Sequence, residues 1–141
     1  MLLLSILLLA ACGGSDDGAS SRPTDDALTG SASSGELVVE QDAGDGSAPQ
    51  RWTLECGSTV GGDHPQAEAA CEHLSAIENP FAPLATDLLC AEVYGGPQTA
   101  HITGTWKGQP VDLRVSRRNG CEISQWDSLG PLLPGPVGAS Q

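Results

Sequence analysis

Four cysteines (Cys56, Cys71, Cys90, Cys121) and three histidines (His64, His73, His101) are the residues of widest chemical range in this chain. Cysteine with histidine is a zinc donor set, but zinc sites bring their ligands in close pairs and no C-x-x-C pair occurs. No metal site and no cofactor are therefore expected, and the histidines read as surface or helix-terminus residues. Acyl transfer by serine, histidine and aspartate needs a nucleophile held against its base in a shaped pocket. No nucleophile-elbow motif is present, so the chain does not read as an enzyme. With Cys12, at the end of an apolar N-terminal run, set apart, the other four of the five cysteines are an even set, which in an exported chain points instead to two disulfides, for which the sequence leaves three pairings open. What stands out is Cys90-Ala91-Glu92-Val93-Tyr94-Gly95-Gly96-Pro97, fastened at Cys90, built of small residues and ended by Gly and Pro. Its chemistry is that of a displayed peptide, to be recognised by something else.

The chain has 141 residues and a net charge of −12, with only three Trp, one Tyr and one Phe. One modest domain is expected, short of large side chains, of a size that disulfides commonly reinforce. Eight acids face Arg22 alone between Cys12 and Gln50, so much of the negative charge lies near the N-terminus. An acidic chain whose basic cluster is only Arg114, Arg117 and Arg118 is a poor nucleic-acid binder, because phosphate affinity requires many Lys and Arg contacts.

Leu2 to Ala10 is an apolar run too short to span a bilayer, which takes roughly 20 residues, and it reads as the core of a secretory signal over 1–11. The run ends Leu9-Ala10-Ala11-Cys12, which resembles a bacterial lipobox; the resemblance implies lipidation of Cys12 and a location on the extracellular face of the cell membrane, or secretion if Cys12 is unmodified. Residues 12–35 are rich in Gly, Ser, Asp, Thr and Ala and predict a flexible acidic linker. The folded domain is expected over 36–134, with a disordered tail over 135–141.

Leu37-Val38-Val39 and Trp52-Thr53-Leu54-Glu55-Cys56 predict a first antiparallel hairpin, with Trp52, Leu54 and Cys56 facing inward. Asp63 or His64 followed by Pro65 predicts a helix start, and Ala67, Ala70, Cys71, Leu74 and Ile77 give it a period and a length of about 12–14 residues. Asn79-Pro80 ends it, and residues 81–89 read as irregular. Thr99 to Trp106 and Val111 to Val115 predict a second hairpin about Lys107-Gly108-Gln109-Pro110. Residues 123–133 predict a short helical turn around Trp126 and Leu129 and a last edge segment. Strands, helix, strands is the order of an α+β domain with an antiparallel sheet.

Leu54-x-Cys56, the Gly61-Gly62-Asp63-His64-Pro65 run, Ala70-Cys71, Cys90 with Val93-Tyr94 and Pro97, Gly104-x-Trp106-x-Gly108, and Asn119-Gly120-Cys121-Glu122 together resemble the bacterial subtilisin-inhibitor (SSI-type) family over about residues 36–125. The resemblance implies a five-stranded antiparallel sheet with two helices, sequential disulfides Cys56–Cys71 and Cys90–Cys121, and a homodimer. It also implies inhibition of a serine protease by a substrate-like loop of Leu89, Cys90, Ala91, Glu92, Val93 and Tyr94, with Glu92–Val93 as the reactive bond. Pro is usual in the family where Ala91 stands, and its absence frees a backbone angle. Gly95-Gly96 lengthens the loop by one residue and predicts a looser far side. Glu92 would require a basic specificity pocket, so the expected partner is a protease of subtilisin or Glu-specific type. The alternative is a non-inhibitory surface lipoprotein that uses the same fold as a binding or envelope module.

Overall fold

The computed structural model describes residues 34–135. The signal segment 1–11, Cys12, the linker as far as residue 33 and the tail from residue 136 lie outside the described residues.

Alternating apolar residues build each strand. Strand β1 spans Gly35–Asp42 and buries Leu37 and Val39; β2 spans Gln50–Cys56 and buries Leu54 and Cys56. Strands β3 (Thr99–Trp106) and β4 (Gln109–Ser116) form the second hairpin, burying Ala100, Ile102, Val111, Leu113 and Val115. The two hairpins are joined edge to edge by β1 pairing with β3, Val39 opposite Ile102, so the sheet order is β2-β1-β3-β4, antiparallel throughout. Helix α1 (Ala67–Ser75) lays Ala70, Cys71 and Leu74 on the core, and helix α2 (Gly120–Ser128) adds Trp126. The core includes Trp106, with Phe81 edge-on to it at 5.9 Å between ring centroids. The opposite sheet face is polar, with ion pairs Arg51–Glu40 at 3.2 Å and His101–Asp112 at 2.7 Å.

Two disulfides close the structure in sequential pairing, Cys56–Cys71 and Cys90–Cys121. The first ties β2 to α1 inside the core. In a core with few aromatic residues each such bond contributes about 2–4 kcal/mol.

Four expectations are corrected. The sheet has four strands among the described residues, not five. The segment expected as a last edge strand is a 3₁₀ turn, Gly130–Leu132. Leu129, Leu132 and Leu133 are buried at spacings of three and four, a helical period, while Pro131 removes a backbone donor. Helix α1 has nine residues, starting at Ala67 rather than after Asp63 or His64. Asp63 turns instead to β2, accepting from the Thr53 backbone N–H at 2.6 Å and its hydroxyl at 3.0 Å. These bonds hold its carboxyl below the usual Asp range, the backbone bond foremost. His64 is buried, not at the surface: its Nδ1 accepts from the Gln66 N–H at 3.0 Å, Nε2 lies 2.9 Å from the Leu132 carbonyl, and the ring stands edge-on to Trp52.

Two glycines take backbone angles that a side chain would strain. The hairpin between β3 and β4 turns on Lys107 (φ 48°) and Gly108 (φ 77°), the paired positive angles of a tight two-residue turn. Gly104 in β3 has φ 128°, and a Cβ there would lie 2.0 Å from the Glu36 carbonyl oxygen. Gly104→Ala is expected to destabilise the domain by about 3 kcal/mol or more, read as a lowered midpoint in chemical denaturation. A change within about 0.5 kcal/mol would contradict this packing.

Candidate functional site

Pro80 to Gln98 contains no helix or strand. Within it, Leu89 is 100% exposed, Tyr94 69% and Val93 50%, and Glu92 is also exposed. Apolar side chains held in water at this density are a mark of a surface that expects a partner. The near side of the segment is fixed at Cys90 by the bond to Cys121, and at Ala91, whose carbonyl accepts from the Gly120 N–H at 2.8 Å. Gly120 permits this approach, because a Cβ there would sit 3.2 Å from the Ala91 methyl. The far side is fixed at Gly95, whose N–H donates to the Arg117 carbonyl at 2.7 Å and whose carbonyl accepts from Arg117 Nε at 3.2 Å. Glu92, Val93 and Tyr94 are what lies between the two ties. Glu92 is at the apex of a three-residue turn, closed by the Val93 N–H donating to Ala91 O at 2.9 Å.

The anchoring turn is itself braced. Asn119 caps α2, its Oδ1 accepting from the Glu122 N–H at 3.0 Å. The Glu122 carboxylate receives the Arg118 guanidinium at 2.9 and 3.2 Å, the Ser116 hydroxyl at 2.7 Å and the Arg118 N–H at 2.9 Å. The Arg118 side chain foremost, then Ser116, brings the Glu122 pKa down to about 2. The same contact raises that of Arg118. Arg117 points the other way, with Nη1 3.2 Å from Asp127 and its guanidinium carbon 5.7 Å from the centre of the Trp126 ring.

All six residues of the expected loop, Leu89 to Tyr94, lie in this one exposed segment, with Cys90 and Cys121 bonded. The far side is not loose. Gly95 carries two hydrogen bonds, and a Cβ on it would come 2.8 Å from Ile123, so the small residue that suggested slack is what lets the chain pack. Sequence reading assigned no role to Arg117, which it counted only as part of a basic cluster. Its partners Asp127 and Trp126 face it only once α2 has formed.

A family profile described as subtilisin inhibitor-like matches residues 31–119, which include the whole exposed segment. The chain belongs to the subtilisin inhibitor-like family. Subtilisin inhibitor-like protein 5 of Streptomyces fradiae is 37% identical over 83 residues, 57% of this chain and 75% of that protein. Subtilisin inhibitor-like protein 4 of Streptomyces lavendulae is 38% identical over 83 residues, 57% of this chain and 68% of that protein. Among solved structures, Streptomyces caespitosus sermetstatin, crystallised in complex with Bacillus licheniformis subtilisin, aligns with 72% of this chain and 99% of its own at 24% identity and TM-score 0.48.

In this subtilisin inhibitor-like domain Glu122 makes stability depend on acid. Folded, it gives up its proton at about pH 2 rather than at the ordinary 4.5, so its contribution is complete above about pH 4.5 and falls away as the pH drops toward 2. Glu122→Gln should therefore lower the unfolding midpoint at pH 7, by about 1–3 kcal/mol, and the gap from the parent should close on acidification. A gap that stays constant from pH 7 to pH 2 would count against this network.

Proposed function

We propose that this protein inhibits a serine protease by offering Leu89–Tyr94 as a substrate-like strand, with Glu92–Val93 as the reactive bond. The observation that carries the reading is the exposed segment tied at both Ala91 and Gly95 with three residues displayed between. A strand held near its bound shape pays little ordering entropy when it pairs with an enzyme's cleft. Docking as an extended strand would open the bond from Val93 to Ala91, while the bond from Gly120 to Ala91 need not break. The subtilisin inhibitor-like relatives support the enzyme class.

Glu92 selects within that class. Its side chain is exposed and makes no ion pair among the described residues. Burying it without a partner costs several kcal/mol, so the target carries a basic group in its primary pocket, as a Glu-specific protease does.

A lipid on Cys12 would suit this arrangement. The chain reaches β1 beside the β3–β4 turn, where the Lys107 N–H donates to the Ser34 carbonyl at 2.8 Å. The loop is tied to Arg117, just past the other end of that hairpin. Eight-residue strands at about 3.4 Å per residue separate the two ends by roughly 25 Å, so the loop lies at the end of the sheet away from the N-terminal attachment. Cys12 lies at the start of the linker 12–35, and the inhibitory domain occupies 36–134.

Titration of the purified domain against subtilisin, trypsin and a Glu-specific serine protease tests the inhibition. The Glu-specific enzyme should be blocked, and Glu92→Met should tighten binding to subtilisin by about 100-fold. Failure to inhibit any of the three at micromolar domain refutes the reading and leaves a non-inhibitory surface module. Mass spectrometry of the mature N-terminus tests the anchor, which an unmodified terminus starting elsewhere than Cys12 would refute.

A further inference from the structure

We infer that Arg117 is the positioning residue for the far side of the loop, doing for Val93 to Gly95 what Cys90–Cys121 does for the near side. The inference rests on the inhibitory reading of the same loop and adds how the cut bond would be kept in register. Arg117 takes both backbone groups of Gly95, one through its carbonyl and one through Nε. Its side chain, only 24% exposed, is in turn fixed by Asp127 at 3.2 Å and by the face of Trp126 at 5.7 Å. Gly95 has no room to shift toward α2, since Ile123 and the Arg117 Cβ already crowd it.

When a protease hydrolyses Glu92–Val93, water adds across the peptide bond, leaving a carboxylate on Glu92 and an amino group on Val93. The Glu92 end remains fastened through the Ala91 carbonyl and the disulfide. The new Val93 terminus has only Tyr94 between it and the first held residue, Gly95. With both ends retained, resynthesis with release of water competes with escape, because the amine stays at high effective concentration beside the acyl carbon. Loss of the Arg117 side chain leaves Gly95 with one bond instead of two and gives the new terminus freedom. The equilibrium between intact and cut protein then moves toward the cut form.

The test compares the full domain with Arg117→Ala, Arg117→Lys and Asp127→Asn. Two quantities are read: hydrogen exchange at the Gly95 amide without any protease, and the ratio of cut to intact protein after equilibration with a catalytic amount of Glu-specific protease. Arg117→Ala keeps the carbonyl that the Gly95 N–H bonds but removes the Nε bond that steadies the same residue, so it should speed exchange at the Gly95 amide about tenfold and raise the cut fraction by a similar factor. Exchange in β1 and β3 should be unchanged, which a merely global loss of stability would not allow. Lys keeps the charge for Asp127 but lacks the Nε donor, so it should not rescue. Asp127→Asn, which weakens the hold on the guanidinium without removing it, should fall between. Unchanged exchange at Gly95 in Arg117→Ala, or full rescue by Lys, overturns the inference. If exchange rises as expected but the parent domain inhibits none of the proteases, the clamp stands and the inhibitory reading falls.

Discussion

A segment as long as Pro80 to Gln98, with no helix or strand of its own, keeps one shape only where something outside it supplies the hydrogen bonds that regular structure would have supplied. Around the displayed residues that support comes from the junction of β4 and α2, Ser116 to Glu122, while Gln125 further along α2 donates to the Ala82 carbonyl at 3.1 Å. Gly120 and Arg117 supply backbone partners, Cys121 supplies the covalent bond, and Asn119 and Glu122 keep the turn itself from fraying. The turn is rigid because both ends are buried: Val115 and Ser116 close the sheet on one side, and Trp126 fixes α2 on the other. Sheet and helix therefore act on Ala91 and Gly95 through this joint.

Support of this kind divides the loop into a held part and a displayed part. Every tie is to backbone or to sulfur, and none uses the side chain of Glu92, Val93 or Tyr94. The identity of the displayed residues is thus separated from the means of holding them. A scaffold built this way can change what it recognises without losing its shape, because a substitution at Glu92 removes no internal contact. The cost falls elsewhere, on Gly95 and Gly120, where a side chain would collide with Ile123 or Ala91.

What the sequence revealed follows the range of the interactions. Period-two alternation at Leu37/Val39, Leu54/Cys56 and Leu113/Val115 placed the strands, and Ala70, Cys71 and Leu74 placed α1, since neighbours a few residues apart decide these elements. The pairing of β1 with β3 joins residues about sixty positions apart and leaves no local mark. His64 could not be read as buried, because its acceptor is the carbonyl of Leu132, far along the chain. Asp63 carried a helix-start signature that a nearer strand captured instead. At the site, Leu89 to Tyr94 stood out by composition and by the nearby cysteine. The far-side tie did not, for Gly95-Gly96 is written in the residues of flexibility and becomes firm only against Arg117 and Ile123.

The charges around the loop complete the reasoning for Glu92. Arg118 lines the same shallow cleft as Glu92, Val93 and Tyr94. Its guanidinium is held by Glu122 through two hydrogen bonds, with the low pKa of Glu122 as the electrostatic trace of that hold. Arg117 is likewise engaged by Asp127. Both basic residues next to the loop are engaged from within α2, and Glu92 itself makes no ion pair among the described residues. In a chain whose overall charge is −12, that leaves an acidic surface with an acidic apex. Such a field favours the approach of a cationic surface to the loop over an acidic one, so the residues that brace the scaffold also shape the potential around it.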